Sequence, residues 1–457
     1  MARSLTDDTT TAIDQLVYDW LADTDAPGAS LVIVDPDGER YATGFGSRNL
    51  ATNDPVTPDT LYGFASVTKS VTALAVLQQV EAGRIDLTDS IAAHTDAAFD
   101  GADEIEIRSL LTHTSGLPSL GTSAVLIARL ADMGETGLPL GDHGDLMHLV
   151  NRAGAERDEV TAGRFMYNNT AYILLSKAVA NAAGEPFPEY VERAILDPLG
   201  MERSTFDAER FAEDSDHATP YRPSENGMEQ TTFPSRDLSH GPGGLISSPR
   251  ELGRYLRCQL ADGEFNGTQL VDSSLLAEAH QAHVEPLPRY GDGYGYGWST
   301  RETAGVEIVG HGGSLLTSSA AIGFAPALNL GVALGCAGQP ELHPTSILEG
   351  IVAILADADP TTVPELAYRE RVNHLTGEYT SYRGIATATV SDAGGYLEVK
   401  TQSGSIEGEQ VLVPEDPTLD SFAFSALGPG RTTPAEFVET DDGIDLLLDR
   451  YRFHKAT

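Results

Sequence analysis

The run Phe64-Ala65-Ser66-Val67-Thr68-Lys69, followed by Val71, Leu74, Ala75, Leu77 and Val80 and then by Gly83, decides the fold. Apolar residues nearly all round predict a helix over 67–80 that is buried rather than surface-lying, and Gly83 is placed to end it. Residues three apart share a helix face, with Cβ atoms roughly 5–6 Å apart, so Lys69 reaches the Ser66 hydroxyl. Ser66 stands at the helix start, where unpaired N–H groups and the macrodipole favour negative charge. The same end, with burial, disfavours a protonated Lys69 and lowers its pKa. A neutral amine beside a hydroxyl is a general base for a nucleophile. With only four lysines (Lys69, Lys177, Lys400, Lys455), one chance Ser-x-x-Lys is still expected about a quarter of the time. The pair needs company.

Two more segments supply it. Tyr167-Asn168-Asn169 precedes a second apolar helix expected over 171–183 and stopped by Gly184. On an extended segment Tyr167 and Asn169 point the same way, so a phenol can relay a proton while an amide holds a substrate carbonyl. Gly310-His311-Gly312-Gly313-Ser314 is read as closing one strand before another begins. Its glycines admit close backbone approach, and its N–H groups suit an oxyanion hole. Taken singly, each has a plainer account that is favoured over the catalytic one: a loop tyrosine packed on the core, and a glycine hairpin.

Strands are expected at 30–34 and 40–45, again at 293–300, 305–309, 319–324 and 330–334, with an apolar helix at 346–355. Strands at both ends and helices between them predict an α+β fold, one antiparallel sheet flanked by helices plus an all-helical region. Beyond about residue 371 short strands and turns predict a small all-β barrel. The expected division is 1–358, a linker at 359–370, and 371–457.

The three motifs in this order resemble the serine β-lactamase and penicillin-binding-protein superfamily, in its class C β-lactamase-like (CubicO) branch. Leu110 to Pro118, Pro198-Leu199-Gly200-Met201, Gly243-Gly244-Leu245 and Tyr294-Gly295-Tyr296-Gly297-Trp298 extend the likeness over about residues 10–357. The resemblance implies Ser66 as nucleophile, Lys69 as its activating partner, Tyr167 as proton shuttle and Asn169 as a substrate-amide contact. It implies the N–H groups of Ser66 and Ser314 as oxyanion hole and puts His311 at a cationic position. An imidazole with a pKa near 6.5 is mostly neutral at pH 7. That argues against efficient β-lactam hydrolysis and toward ester, amide or small-peptide substrates. The Ser-Asp-Asn and Lys-Thr-Gly motifs of class A enzymes are absent. The last segment resembles the lipocalin-like barrel appended to archaeal CubicO-type peptidases, which implies D-amino-acid peptides and a homo-oligomer.

The expected function is therefore a serine hydrolase acting through a Ser66 acyl-enzyme on an amide or small peptide, with no cofactor and no metal. A carboxylesterase of the same family is the alternative, and a non-catalytic ligand-binding protein that keeps the fold is the alternative of another class. An α/β-hydrolase is excluded because no Gly-x-Ser-x-Gly elbow occurs. His113 reads as structural, and His143 and His148 as a solvated face rather than a metal site.

The chain has 68 acidic and 29 basic residues among 457, a formal net charge of −39. Self-repulsion of this size destabilises a compact state in dilute buffer, and about 1 M salt screens it to roughly 3 Å. A halophilic, archaeal source is the expectation. Nucleic acid and anionic membranes are poor partners for such a surface. The start of the chain lacks a signal-peptide pattern, and a cytoplasmic location is expected. Cys258 and Cys336, without zinc spacing, read as two buried free thiols.

Overall fold

The computed structural model describes residues 5–99, 101–117, 142–153, 162–224, 227–235, 237–285, 292–416 and 419–456. Two compact units divide the chain at residue 356, Met1–Ala356 and Asp357–Thr457.

The first unit opens with α1 (Asp7–Ala22), capped by Thr6, whose hydroxyl accepts from Thr9 N–H, and started by Asp7 and Asp8; both features favour a helix N-terminus. Then come β1 (Gly28–Asp35), β2 (Gly38–Asn49) and the short β3 (Asp54–Pro55). The helical part holds α2 (Thr68–Glu81), α3 (Asn169–Ala183) and α4 (Pro249–Leu260). The chain returns through β4 (Gly293–Tyr294), β5 (Ser299–Thr303), β6 (Val306–Leu315), β7 (Ser318–Ala325) and β8 (Leu330–Ala337), then α5 (Pro344–Leu355). These strands form one eight-stranded sheet in the order β4-β5-β6-β7-β8-β1-β2-β3. Its two halves join where β1 pairs antiparallel with β8, Leu31 opposite Leu334. Both strands are buried along their whole length, so both faces of the sheet are covered. Gly323 faces Leu348 of α5, and Gly331 faces Leu256 of α4. Gly323 pairs with Val332, the neighbour of Gly331, and successive strand residues point to opposite faces. The two helices therefore lie on opposite sides.

Three expectations are corrected. The run 293–300 is not one strand: Gly295 to Trp298 interrupt it, because Gly297 adopts φ +75 and a side chain there would meet Lys69 O at 2.6 Å. Gly310 to Ser314 do not follow a strand but lie inside β6, paired with β7 from Val309 to Leu315. Glycines let that strand run against its neighbours without a turn. Asn169 is not extended; it is the first residue of α3, with Asn168 as the cap accepting from Ala171 N–H.

The second unit begins with a helix, α6 (Pro364–Leu375), across most of the stretch expected as linker, 359–370. Leu366 and Ala367, inside that stretch, are buried, and Val372 and Leu375 further along the helix join the apolar core. Eight strands, β9 (Gly377–Ser381) to β16 (Tyr451–Ala456), close into a barrel as β9 pairs with β16 through Thr380 and His454. Tyr379, Leu397, Val399, Leu412, Phe424, Phe437 and Leu446 fill its interior.

Candidate active site

Ser66 sits in a single turn of 3-10 helix, Ala65–Val67, that leads into α2. Ala65 carries a positive φ of +46, a conformation disfavoured for a residue with a side chain and concentrated at functional turns. Neighbouring backbone holds the turn. Phe64 N–H donates to Leu245 O at 2.8 Å, Leu245 N–H to the Thr68 hydroxyl at 3.0 Å, and the Ser318 hydroxyl to Gly63 O at 2.8 Å. Strand β6 runs against the same turn. A Cβ on Gly313 would lie 2.1 Å from Phe64 O and 3.2 Å from Ser66 N, so only glycine lets the strand backbone come this close.

Lys69 is fully buried. Its Nζ lies 3.0 Å from Ser66 Oγ, 2.8 Å from Asn169 Oδ1 and 2.8 Å from Pro242 O. Burial lowers its pKa well below the usual lysine value. A neutral amine has two N–H donors and one lone pair. The two carbonyl oxygens can only accept, and in the neutral form they take both donors and leave the lone pair for the Ser66 hydroxyl. Asn169 oxygen is thereby engaged with the amine, where the sequence pointed to a substrate contact.

Tyr167 arrives from the segment before α3. The residue is 41% exposed. Its ring lies 4.7 Å from Lys69 Nζ, and its hydroxyl hydrogen-bonds with Ser66. Burial of that hydroxyl raises its pKa and the Ser66 contact opposes the rise, so the phenol stays protonated at neutral pH.

His311, on β6, is buried, with Nδ1 2.6 Å from Gly312 O and Nε2 3.1 Å from Tyr294 Oη. A carbonyl only accepts, so Nδ1 carries the proton and Nε2 accepts. Burial first, then Lys69 and His343, push its pKa down to about 3, against the contact with Gly312. His311 is neutral at pH 7 and supplies no cation. The Ser314 hydroxyl pairs with Gln339 Nε2 at 3.0 Å, while Gly313 O lies 3.2 Å from His343 Nε2.

Lys69 and Tyr167 thus meet at the Ser66 hydroxyl, and Asn169 holds the Lys69 amine. His311 borders the group, with its ring centroid 6.3 Å from that of Tyr167. Sequence reasoning missed Pro242, whose carbonyl orients the amine, and Tyr294, which sits against His311. The glycines flanking Pro242 were the available clue, since they permit close backbone approach. Segments 118–141 and 154–161, between the short helix Ile107–Leu111 and Tyr167, lie outside the described residues.

Residues 13–353 match the Beta-lactamase family, and residues 360–454 match the Pab87 octamerisation domain. The octameric penicillin-binding protein homologue of Pyrococcus abyssi superposes with a TM-score of 0.90 at 30% identity, over 98% of this chain and 100% of that one. A D-stereospecific amidohydrolase from Streptomyces sp. superposes with a TM-score of 0.61 at 25% identity, over 74% of this chain and 97% of that one. Protein flp of Staphylococcus aureus (strain MW2) is 27% identical over 394 residues, covering 84% of this chain and 69% of that protein. The chain belongs to the Beta-lactamase family and is a serine hydrolase.

Proposed function

We propose that the chain hydrolyses the amide bond of a small peptide or amino-acid amide through an acyl-enzyme on Ser66. The observation that carries this reading is the buried Lys69 amine, held by Asn169 and Pro242 with its nitrogen 3.0 Å from Ser66 Oγ. Lys69 takes the hydroxyl proton as Oγ bonds to the carbonyl carbon. The N–H groups of Ser66 and Ser314 hold the oxyanion. The carbon–nitrogen bond then breaks, and the amine leaves with a proton passed from Lys69 through Tyr167. Water adds to the ester, gives its proton back along the same groups, and the acid departs as Ser66 regains its hydrogen.

A neutral His311 supports substrates without a carboxylate at that position, which suits amides and also keeps a carboxylesterase as the second reading. The amidohydrolase relative supports D-configured substrates. Similarity to the octamerisation domain and to the octameric homologue supports a homo-oligomer built through the second unit. Its packed interior weighs against a ligand-binding barrel as the working part. The charge of −39 supports a salt-rich cytoplasm. No helix among the described residues is long and apolar enough to cross a membrane.

The test is an active-site serine probe followed by intact-mass analysis, with L- and D-aminoacyl amides, esters and a cephalosporin assayed in high salt. One adduct on the wild type and none on Ser66→Ala is expected. Equal labelling of both would defeat the proposal. Light scattering reads the assembly.

A further inference from the structure

His113 ends the turn after the short helix Ile107–Leu111 and is fully buried with a positive φ of +60. That conformation is uncommon for a non-glycine residue. It lets backbone and ring grip one segment from two sides. The His113 carbonyl accepts from Met166 N–H at 2.8 Å, and its Nδ1 accepts from Asn168 N–H at 3.0 Å. Tyr167 lies between these two anchors, its ring centroid 4.4 Å from the imidazole. A backbone N–H only donates, so Nδ1 is unprotonated and Nε2 carries the hydrogen. Nε2 faces Tyr294 Oη at 3.2 Å, and that oxygen stands 3.1 Å from His311 Nε2. Asn168 N–H donates to His113, His113 Nε2–H faces Tyr294 Oη, and that hydroxyl also lies within hydrogen-bond distance of His311 and bonds with Tyr172. These contacts tie the Tyr167 segment to β6 on the side of Ser66.

We propose that His113 is a positioning residue that sets the Tyr167 phenol for proton delivery to the leaving group, by clamping the backbone on either side of it. The inference rests on the hydrolase reading above. It makes a chemical distinction that a merely structural role would not. An amine leaving group needs a proton to depart and p-nitrophenolate does not, so loosening Tyr167 harms amide cleavage selectively. General acid catalysis contributes about 10²–10⁴-fold, which leaves room for a large effect.

The experiment compares kcat/KM for a p-nitroanilide and a p-nitrophenyl ester of the same acyl group. The variants are His113→Asn, His113→Gln, Tyr167→Phe, and His113→Gln combined with Tyr167→Phe. Asparagine tolerates positive φ and offers an oxygen at the Nδ1 position, keeping the bond to Asn168. Glutamine reaches toward Tyr294 and loses that bond. The amide-to-ester ratio is expected to fall at least about tenfold in His113→Gln and to stay within about threefold in His113→Asn. The double variant should fall no further than Tyr167→Phe, since residues acting as a unit are not additive. His113→Phe, which keeps a ring without an acceptor, replaces His113→Gln should that variant not fold. Equal losses on both substrates, equal ratios for the asparagine and glutamine variants, or additive losses in the double variant would each overturn the proposal. A wild type with neither turnover nor a Ser66 adduct would defeat the hydrolase reading first and this inference with it.

Discussion

Replacing Gly313 by alanine puts a methyl carbon 2.1 Å from the Phe64 carbonyl oxygen and 3.2 Å from Ser66 N. Carbon–oxygen contacts settle near about 3.3 Å, so the methyl and the turn must part by roughly 1.2 Å. Neither side gives easily. The turn is tied to Leu245 and Ser318 at 2.8 Å each, and β6 is paired with β7 from Val309 to Leu315. A misplacement of about 1 Å costs on the order of 100-fold in rate, or roughly 2.7 kcal/mol of transition-state stabilisation. Overpacking costs about 1–3 kcal/mol of stability, less than the roughly 5–15 kcal/mol of an ordinary domain. The Gly313→Ala protein is therefore expected to fold, with a lowered Tm. Its kcat/KM and its rate of Ser66 labelling should both drop about 100-fold. The assay is steady-state p-nitroanilide hydrolysis, probe labelling and thermal unfolding on one preparation in high salt. Activity within about threefold of wild type, with an unchanged Tm, would refute the claim that β6 and the Ser66 turn form one rigid wall.

Three further outcomes follow from the same structure. Lys69 has a folded pKa below its unfolded value of about 10.4, so between the two the unfolded chain binds the extra proton and stability rises with pH. The wild-type Tm should gain on that of an inactive Lys69→Met variant from pH 6.5 to 9.5, and a constant difference would contradict the buried neutral amine. His311, with its pKa pushed to about 3, should leave kcat/KM without an inflection of its own between pH 5.5 and 8. An inflection there in wild type that vanishes in His311→Gln would restore the cation. The charge of −39 should make circular dichroism collapse as salt is withdrawn below about 0.1 M, and an unchanged spectrum would remove the halophilic reading.

What the sequence determined by itself was chemistry carried by local spacing. Ser66 and Lys69 are one helical turn apart, and that spacing alone brings amine and hydroxyl within reach. Period and composition likewise gave the buried α2, the sheet assembled from both ends of the first unit, and the β-rich second unit. Tertiary structure decided what depends on partners far along the chain. The Lys69 amine is held by Asn169 and Pro242, 100 and 173 residues away, and no local pattern encodes such a meeting. Gly310 to Ser314 read as the close of one strand, with a glycine hairpin as the alternative, yet pairing with β7 carries the strand on through Leu315. The resemblance put His311 at a cationic position while its reference pKa already argued for a mostly neutral ring; desolvation, a property of the assembled fold, pushes that pKa down to about 3. His113 read as ordinary core because nothing nearby in sequence announces that its ring and carbonyl flank Tyr167.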